Sequence, residues 1–202
     1  MEKRRGSFFA EGEEKGMKQR ERLLQLLKEK AYRKGKVILT SGKESDFYID
    51  CRPVTLHPEG AYLVGRLLYE RIREFAIPVE GVGGPTLGAD PIVTAVSLIS
   101  FMERHPLAAF IIRKEPKKHG RSLWIEGIDN LREGAPVVIV EDVVTTGGST
   151  IRSIDRAEEA GLKVVRVLAL VDREEGGREN IRGRGFEMEA IFHRVDFEGG
   201  PH

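Results

Sequence analysis

The segment best suited to chemistry is VVIVEDVVTTGGST, residues 137–150, where an acidic pair precedes two threonines and two glycines. Glycines let the backbone turn and expose successive N–H groups, threonine hydroxyls add donors, and a helix N-terminus favours negative charge. The loop of Thr145, Thr146, Gly147, Gly148 and Ser149 is therefore predicted to cradle a phosphate. Glu141 and Asp142 would repel a bare phosphate, but carboxylates accept hydrogen bonds from sugar hydroxyls or help to order Mg²⁺. The segment indicates a sugar-phosphate site.

An ordinary strand-to-helix turn with N-capping threonines is the plain alternative, and a lone glycine pair would favour it. The apolar strand and the acidic pair before TTGGS favour the ligand site, and no Gly-Lys-Ser/Thr follows, which excludes a Walker loop. The segment resembles the phosphoribosyl-pyrophosphate (PRPP) signature of the type I phosphoribosyltransferases. That resemblance names the donor and leaves the acceptor open. It implies PRPP binding by Glu141, Asp142, Val143, Val144, Thr145, Thr146, Gly147, Gly148 and Ser149.

A second charged motif, RKEPKKHG at residues 113–120, directly follows a predicted strand. Such a run is usually a solvated loop. This one begins at a sheet edge and carries five potential cations, which are Arg113, Lys114, Lys117, Lys118 and His119. Cations that meet the charge growing on a departing pyrophosphate stabilise the transition state more than the ground state. The GRSLWIEG stretch that follows suits a loop that closes over a substrate and excludes water.

Three motifs, SGKESDFYID, GGPTLGADP and RKExKxHG, together resemble the orotate phosphoribosyltransferases, over about residues 20 to 195. The resemblance implies transfer of the 5-phosphoribosyl group from PRPP to orotate, which gives orotidine 5′-monophosphate and pyrophosphate in pyrimidine (UMP) biosynthesis. It implies Mg²⁺ as the cofactor, bound mainly through PRPP, with no direct protein ligand assigned. It also implies a homodimer in which the charged loop reaches the neighbouring subunit's site.

The resemblance also assigns roles to side chains. Catalysis would involve Lys117, His119 and Asp142. The pyrophosphate end of PRPP would be bound by Arg113, Lys114, Lys117 and His119. Orotate would contact Thr145 and Arg173, and a hood over the base would contain Ser41, Gly42, Phe47 and Tyr48. Without the resemblance, Arg173 is equally a surface arginine among acids, and Phe47 and Tyr48 are equally packing residues of a strand.

Two positions depart from some members of that family. Thr40 stands where some members have a lysine before the Ser-Gly of the hood, and Thr86-Leu87-Gly88 stands where some have a lysine in the turn. Both lysines contact substrate phosphates in those relatives. The chain is therefore expected to rely more on its charged loop and on backbone amides.

The elements that position these motifs alternate between strand and helix. Helices are predicted at 19–32, 58–75, 91–104 and 149–160, and strands at 36–39, 47–49, 79–83, 108–112, 136–140, 163–171 and 190–195. The helix at 91–104 is apolar on most sides, which predicts burial. Alternation of this kind predicts an α/β fold with a mostly parallel central sheet flanked by helices. The resemblance makes this the type I phosphoribosyltransferase fold with a small N-terminal hood, with residues 1–17 a disordered extension, 18–202 one domain and about 18–55 the hood.

Composition narrows the function classes. Lys and Arg total 33 against 32 Asp and Glu, so bulk charge gives no support to nucleic-acid binding. A single cysteine, Cys51, fits a reducing cytoplasm, and no apolar run reaches the ~18 residues of a membrane span. Two alternatives stay open, a phosphoribosyltransferase for another nucleobase and a PRPP-binding regulator. A neutral base would give Arg173 no carboxylate to bind, and a regulator would need a basic module that residues 1–17 are too short to supply.

Overall fold

The computed structural model describes residues 3–38, 44–116 and 124–198. Its helices are α1 (Lys3–Lys30), α2 (Arg52–Thr55), α3 (Pro58–Arg73), α4 (Asp90–Met102), α5 (Gly148–Glu159), α6 (Gly177–Gly183) and α7 (Arg194–Glu198). Its strands are β1 (Tyr32–Ile38), β2 (Glu44–Ile49), β3 (Gly81–Pro85), β4 (Ala108–Ile112), β5 (Ile125–Glu126), β6 (Pro136–Val144), β7 (Lys163–Asp172) and β8 (Met188–His193).

The central sheet has the order β5-β4-β3-β6-β7-β8, with every neighbouring pair parallel except β4 and β5. Strands β6 and β7 each have a neighbour on both sides in the sheet and are buried along most of their length. Their continuous runs of apolar residues are typical of strands that are covered on both faces. The prediction of an α/β fold with a mostly parallel sheet flanked by helices is confirmed.

The N-terminal elements pack on one side of the core. Strands β1 and β2 form an antiparallel pair, and the rings of Tyr32, Phe47 and Phe197 lie 5.1 to 5.6 Å apart. Buried Leu23 and Leu27 attach the second half of α1 to the same core. This cluster joins the hood hairpin to the C-terminal helix α7.

Helix α1 begins earlier than the sequence predicted. The expected start was residue 19 after a disordered extension, whereas the backbone is helical from Lys3. The segment contains no proline and is rich in Lys, Arg, Glu and Gln, which are good helix formers. The division into an extension and one domain with a hood stays a prediction.

The expectation that the helix at 91–104 is fully buried is wrong. Its inner side, with Ile92 and Val96, packs into the core, but Leu98, Phe101 and Met102 are 61%, 72% and 67% exposed. A pattern of apolar residues indicates which side chains are unfavourable in water. It does not indicate which of them the core of this chain covers. Among the residues that the structure describes, no helix combines the length and the apolar character needed to span a bilayer.

Candidate active site

A cavity of about 640 Å³ opens at the carboxyl ends of β3, β4 and β6, where ligands bind in open parallel sheets. The predicted site residues on its wall are Tyr48, Arg113, Lys114, Glu141, Asp142, Val143, Thr145, Ser149 and Arg173. Residues as far apart in sequence as Tyr48 and Arg173 thus meet at one sheet edge.

Other predicted residues do not reach the wall. Phe47 and Val144 are buried, and Thr146, Gly147 and Gly148 form the turn beside the cavity without lining it. Lys117 and His119, with Thr40, Ser41 and Gly42 of the hood, lie outside the described residues. For Phe47 the structure supports the packing role, because its ring is part of the aromatic cluster.

Strand β6 is longer than predicted, which changes where the loop begins. The sequence predicted a strand that ends at residue 140, but β6 continues to Val144 because β7 continues to Asp172 and pairs with it. The loop therefore begins at Thr145. Glu141 and Asp142 are consecutive strand residues, and consecutive side chains of a strand point to opposite faces.

Glu141 connects the strand to the helix that follows the loop. Its side chain is almost fully buried, and its Oε2 atom accepts hydrogen bonds from the hydroxyls of Ser149 (3.0 Å) and Thr150 (2.8 Å). Burial, followed by repulsion from Asp142, raises the pKa of Glu141 to about 8. This carboxyl fixes the first turn of α5 against β6.

Asp142 faces the cavity and lies against the turn between β3 and α4. Its Oδ1 atom accepts the backbone N–H of Val143 at 2.9 Å, and burial raises its pKa. A Cβ atom on Gly88 would lie 2.4 Å from the Asp142 carboxyl carbon, well inside contact distance. A side chain at position 88 would therefore have to displace the Asp142 carboxyl group.

The phosphate-cradle loop rests on α6, an element that the sequence did not predict. A Cβ atom on Gly177 would lie 2.4 Å from Val144 Cγ1 and 2.7 Å from the carbonyl oxygen of Thr145. The amide of Asn180 donates to the carbonyl of Thr146 at 2.9 Å. At the N-cap of α5, Gly147 has φ +76°, a conformation that favours glycine.

Arg173 is a buried part of the cavity wall and not a surface arginine. Its Nη2 atom donates to the carbonyl of Phe47 at 3.0 Å and lies 2.6 Å from a carboxylate oxygen of Glu175. Burial of a guanidinium is costly unless it is paired. A hydrogen-bonded cation in the wall is suited to a ligand carboxylate.

The charged loop is anchored at both of its described ends. The backbone N–H of Arg113 donates to the carbonyl of Trp124 at 2.8 Å, and its guanidinium lies 2.8 Å from Glu126. The Arg156 guanidinium of α5 stacks 3.7 Å from the centre of the Trp124 ring. Residues 125–126, predicted as loop, form β5, which pairs with β4.

Sequence reasoning missed five charged or aromatic residues of the wall, which are Asp50, Arg52, Trp124, Arg152 and Arg156. Residues 149, 152, 153 and 156 lie at helical spacing on one face of α5, a signal that the sequence did contain. Asp50 and Arg52 form an ion pair at 2.8 Å directly after β2; Asp50 ends the SGKESDFYID motif, but neither residue was singled out.

The described residues contain no group of three or more His, Cys, Asp or Glu that would enclose a metal ion. The cavity wall does offer the oxygens of Glu141 and Asp142. Mg²⁺ is commonly held by one or two carboxylates together with substrate phosphates. The residues present therefore fit a magnesium ion that takes most of its ligands from a bound phosphate compound.

A model of the phosphoribosyl transferase domain matches residues 54–195. The chain is 48% identical over 183 residues to the orotate phosphoribosyltransferase of Sorangium cellulosum, covering 90% of this chain and 94% of the relative. It is also 48% identical over 179 residues to the orotate phosphoribosyltransferase of Nostoc sp., covering 89% and 85%. Among solved structures, that of Mycobacterium tuberculosis orotate phosphoribosyltransferase in complex with PRPP matches with a TM-score of 0.74, 34% identity and coverage of 89% and 98%.

The raised pKa of Glu141 predicts a pH-dependent stability. Because the folded-state pKa of about 8 exceeds the ordinary value of 4.5, the folded state retains a proton that the unfolded state releases. Stability from this group is complete below pH 4.5 and is lost as pH rises toward 8, by on the order of a few kcal/mol. Urea unfolding of the wild type and of Glu141→Gln at pH 5.5 and 8.5 measures this effect.

We expect the wild type to lose stability relative to Glu141→Gln as the pH rises, because the glutamine stays neutral. Glu158→Gln, at an exposed position of α5, controls for the substitution itself. A difference between wild type and Glu141→Gln that stays constant with pH would contradict the assignment.

Proposed function

We propose that the cavity of this chain, which belongs to the orotate phosphoribosyltransferase family, binds PRPP and orotate with Mg²⁺. We propose further that the protein acts as a homodimer. The reaction joins the 5-phosphoribosyl group of PRPP to orotate and releases pyrophosphate, a step of pyrimidine biosynthesis. The observation that carries the site assignment is the meeting of buried Arg173 with the acidic pair and Thr145 in one cavity.

Arg173 is the residue that we assign to the acceptor. Orotate carries a carboxylate, and a guanidinium binds a carboxylate through two parallel hydrogen bonds. Arg173 lies at the end of β7, and its contacts with Phe47 and Glu175 hold the guanidinium in place. Thr145 and Tyr48 lie on the same wall and complete the proposed orotate site.

Residues of β6, the loop and α5 are assigned to the donor. Asp142 accepts hydrogen bonds from the ribose hydroxyls, while Glu141 supports the loop from beneath through Ser149 and Thr150. The loop from Thr145 to Ser149 binds the 5′-phosphate with backbone N–H groups, hydroxyls and the N-terminus of α5. The transfer thus takes place between fixed donor and acceptor sites.

The charged loop is assigned to the leaving group. The bond between ribose C1 and the pyrophosphate oxygen breaks, and a ring nitrogen of orotate forms the new bond to that carbon through an oxocarbenium-like state. Arg113 and Lys114 lie at the cavity, and we assign Lys117 and His119 of the neighbouring subunit's loop to the same pyrophosphate. Positioning and neutralisation of this charge supply most of the catalysis. Bound Mg²⁺ would add charge neutralisation at the phosphate oxygens.

The exposed apolar side of α4 supports the proposed homodimer. Leu98 and Met102 line a groove of about 880 Å³ with Leu56 and Tyr62. Arg52 and Leu87 line both this groove and the active-site cavity. A second copy seated on this face would bury the apolar side chains and lie beside the neighbouring site, where its charged loop would contribute.

A cytoplasmic location is part of the same proposal. The buried thiol of Cys51 is the only cysteine of the chain, which fits a reducing compartment.

The acceptor assignment predicts a selective reaction. With PRPP and Mg²⁺, we expect pyrophosphate release with orotate and none above background with uracil, adenine or hypoxanthine, because only orotate offers Arg173 a carboxylate. Product chromatography with and without EDTA measures both the acceptor and the metal requirement. Turnover with a neutral base and inertness toward orotate would refute the assignment, and full activity in EDTA would refute the role of Mg²⁺.

The shared loop predicts complementation between inactive variants. Lys117→Ala and Asp142→Asn each lower turnover at least about a hundredfold, because each removes charge stabilisation from the site. After subunit exchange, half of the dimers are mixed and each has one site without either change, so the mixture recovers about a quarter of the wild-type rate.

Each variant must sediment like the wild type, because a misfolded variant would also lose turnover. A Phe101→Glu change places a charge on the side of α4 that we assign to the interface. It should disrupt the dimer and abolish the recovery of activity in the mixture. Absence of recovery in mixtures that have exchanged subunits would contradict a loop shared between subunits, and a monomeric wild type would contradict the dimer.

A further inference from the structure

Arg152 lies on the cavity wall and forms no ion pair with a described carboxylate. It belongs to α5, three residues after Ser149, and its side chain is exposed. Its Nη1 atom lies 3.5 Å from the point that a Cβ atom on Gly148 would occupy, so the guanidinium folds back over the first turn of α5. Within residues 3–38, 44–116 and 124–198, no hydrogen bond or ion pair involves this side chain.

The other arginines of the wall are already engaged with carboxylates. The pairs are Arg52 with Asp50, Arg113 with Glu126, Arg156 with Glu159, and Arg173 with Glu175. Those pairs hold their guanidinium groups in fixed positions. Arg152 differs from them because it lines the same cavity without such a pair.

The surroundings of Arg152 indicate which anion it meets. Its guanidinium lies over Gly148, beside the loop from Thr145 to Ser149, whereas Arg113 and Lys114 approach from the end of β4. Burial raises the pKa of Glu141, and the charge of Arg152 acts against that rise, so its field reaches the base of the same loop. Arg152 and the pair of Arg113 and Lys114 therefore face different ends of an extended ligand.

We propose that Arg152 is a further substrate-binding residue that contacts the 5′-phosphate of PRPP and of orotidine 5′-monophosphate through the donors it directs over Gly148. This inference rests on the proposed function of the cavity. A guanidinium offers two parallel N–H donors to a phosphate, a geometry that a lysine cannot supply. The 5′-phosphate is remote from the reacting carbon, so Arg152 binds substrate and transition state equally and changes KM more than kcat.

Calorimetric titration of the full chain tests this role with three ligands. Orotidine 5′-monophosphate and PRPP carry the 5′-phosphate, and inorganic pyrophosphate does not. For Arg152→Gln we expect the Kd of the first two to rise about tenfold to a hundredfold, and that of pyrophosphate to stay within about twofold. Arg152→Lys should fall between the wild type and Arg152→Gln, and kcat at saturating PRPP should change little.

Arg184→Gln is the matched control, because Arg184 pairs with Asp155 of α5 outside the cavity and its loss removes the same charge. It should leave all three affinities unchanged. Unaltered binding of orotidine 5′-monophosphate by Arg152→Gln would overturn the inference. An equal loss of pyrophosphate binding would also overturn it, because it would indicate that Arg152 attracts every anion in the cavity through its charge alone. Failure of the wild type to bind either orotidine 5′-monophosphate or PRPP would instead refute the proposed function.

Discussion

The buried carboxyl of Glu141 is the contact on which the site depends. It lies within β6, in the middle of the sheet, and accepts hydrogen bonds from Ser149 and Thr150 in the first turn of α5. These bonds join the two ends of the loop that begins at Thr145. The loop is thereby held between a central strand and a helix N-terminus. A carboxyl in this position costs stability when it is ionised, and the hydroxyl donors offset part of that cost.

Other parts of the fold complete the same arrangement. Gly88 allows the turn after β3 to contact Asp142, and Gly177 allows α6 to contact the underside of the loop. The β4–β5 pair and the Arg156–Trp124 stack fix the base of the charged loop, so that Arg113 is held at the cavity. The proposed donor site is thus built on elements that these contacts hold in place. We assign the stabilisation of the departing pyrophosphate to the charged loop beside that site.

The sequence predicted the fold class and the acidic pair with its loop, because these depend on local patterns such as apolar strands and glycine positions. It did not predict the extension of β6 to Val144, which follows from pairing with β7. It did not separate Phe47 from Tyr48, because burial in the aromatic cluster is a tertiary effect. The exposed side of α4 was interpreted as buried, since a helix that is apolar on most sides does not indicate which side packs on the core. Arg152 and Arg156 were missed although their spacing was visible, because their function depends on the cavity that they face.

Calorimetric titration of Thr150→Val with PRPP and Mg²⁺ tests most directly whether the Glu141 contact shapes the donor site. Thr150 is fully buried and does not line the cavity, so the change removes a hydroxyl that donates to Glu141 without removing a ligand contact. Ser100→Ala likewise removes a buried hydroxyl, at a position outside both the cavity and the apolar groove. We predict that the Kd of PRPP rises about tenfold in Thr150→Val and stays at the wild-type value in Ser100→Ala. Wild-type affinity for PRPP in a folded Thr150→Val protein would show that the Glu141 contact does not shape the donor site.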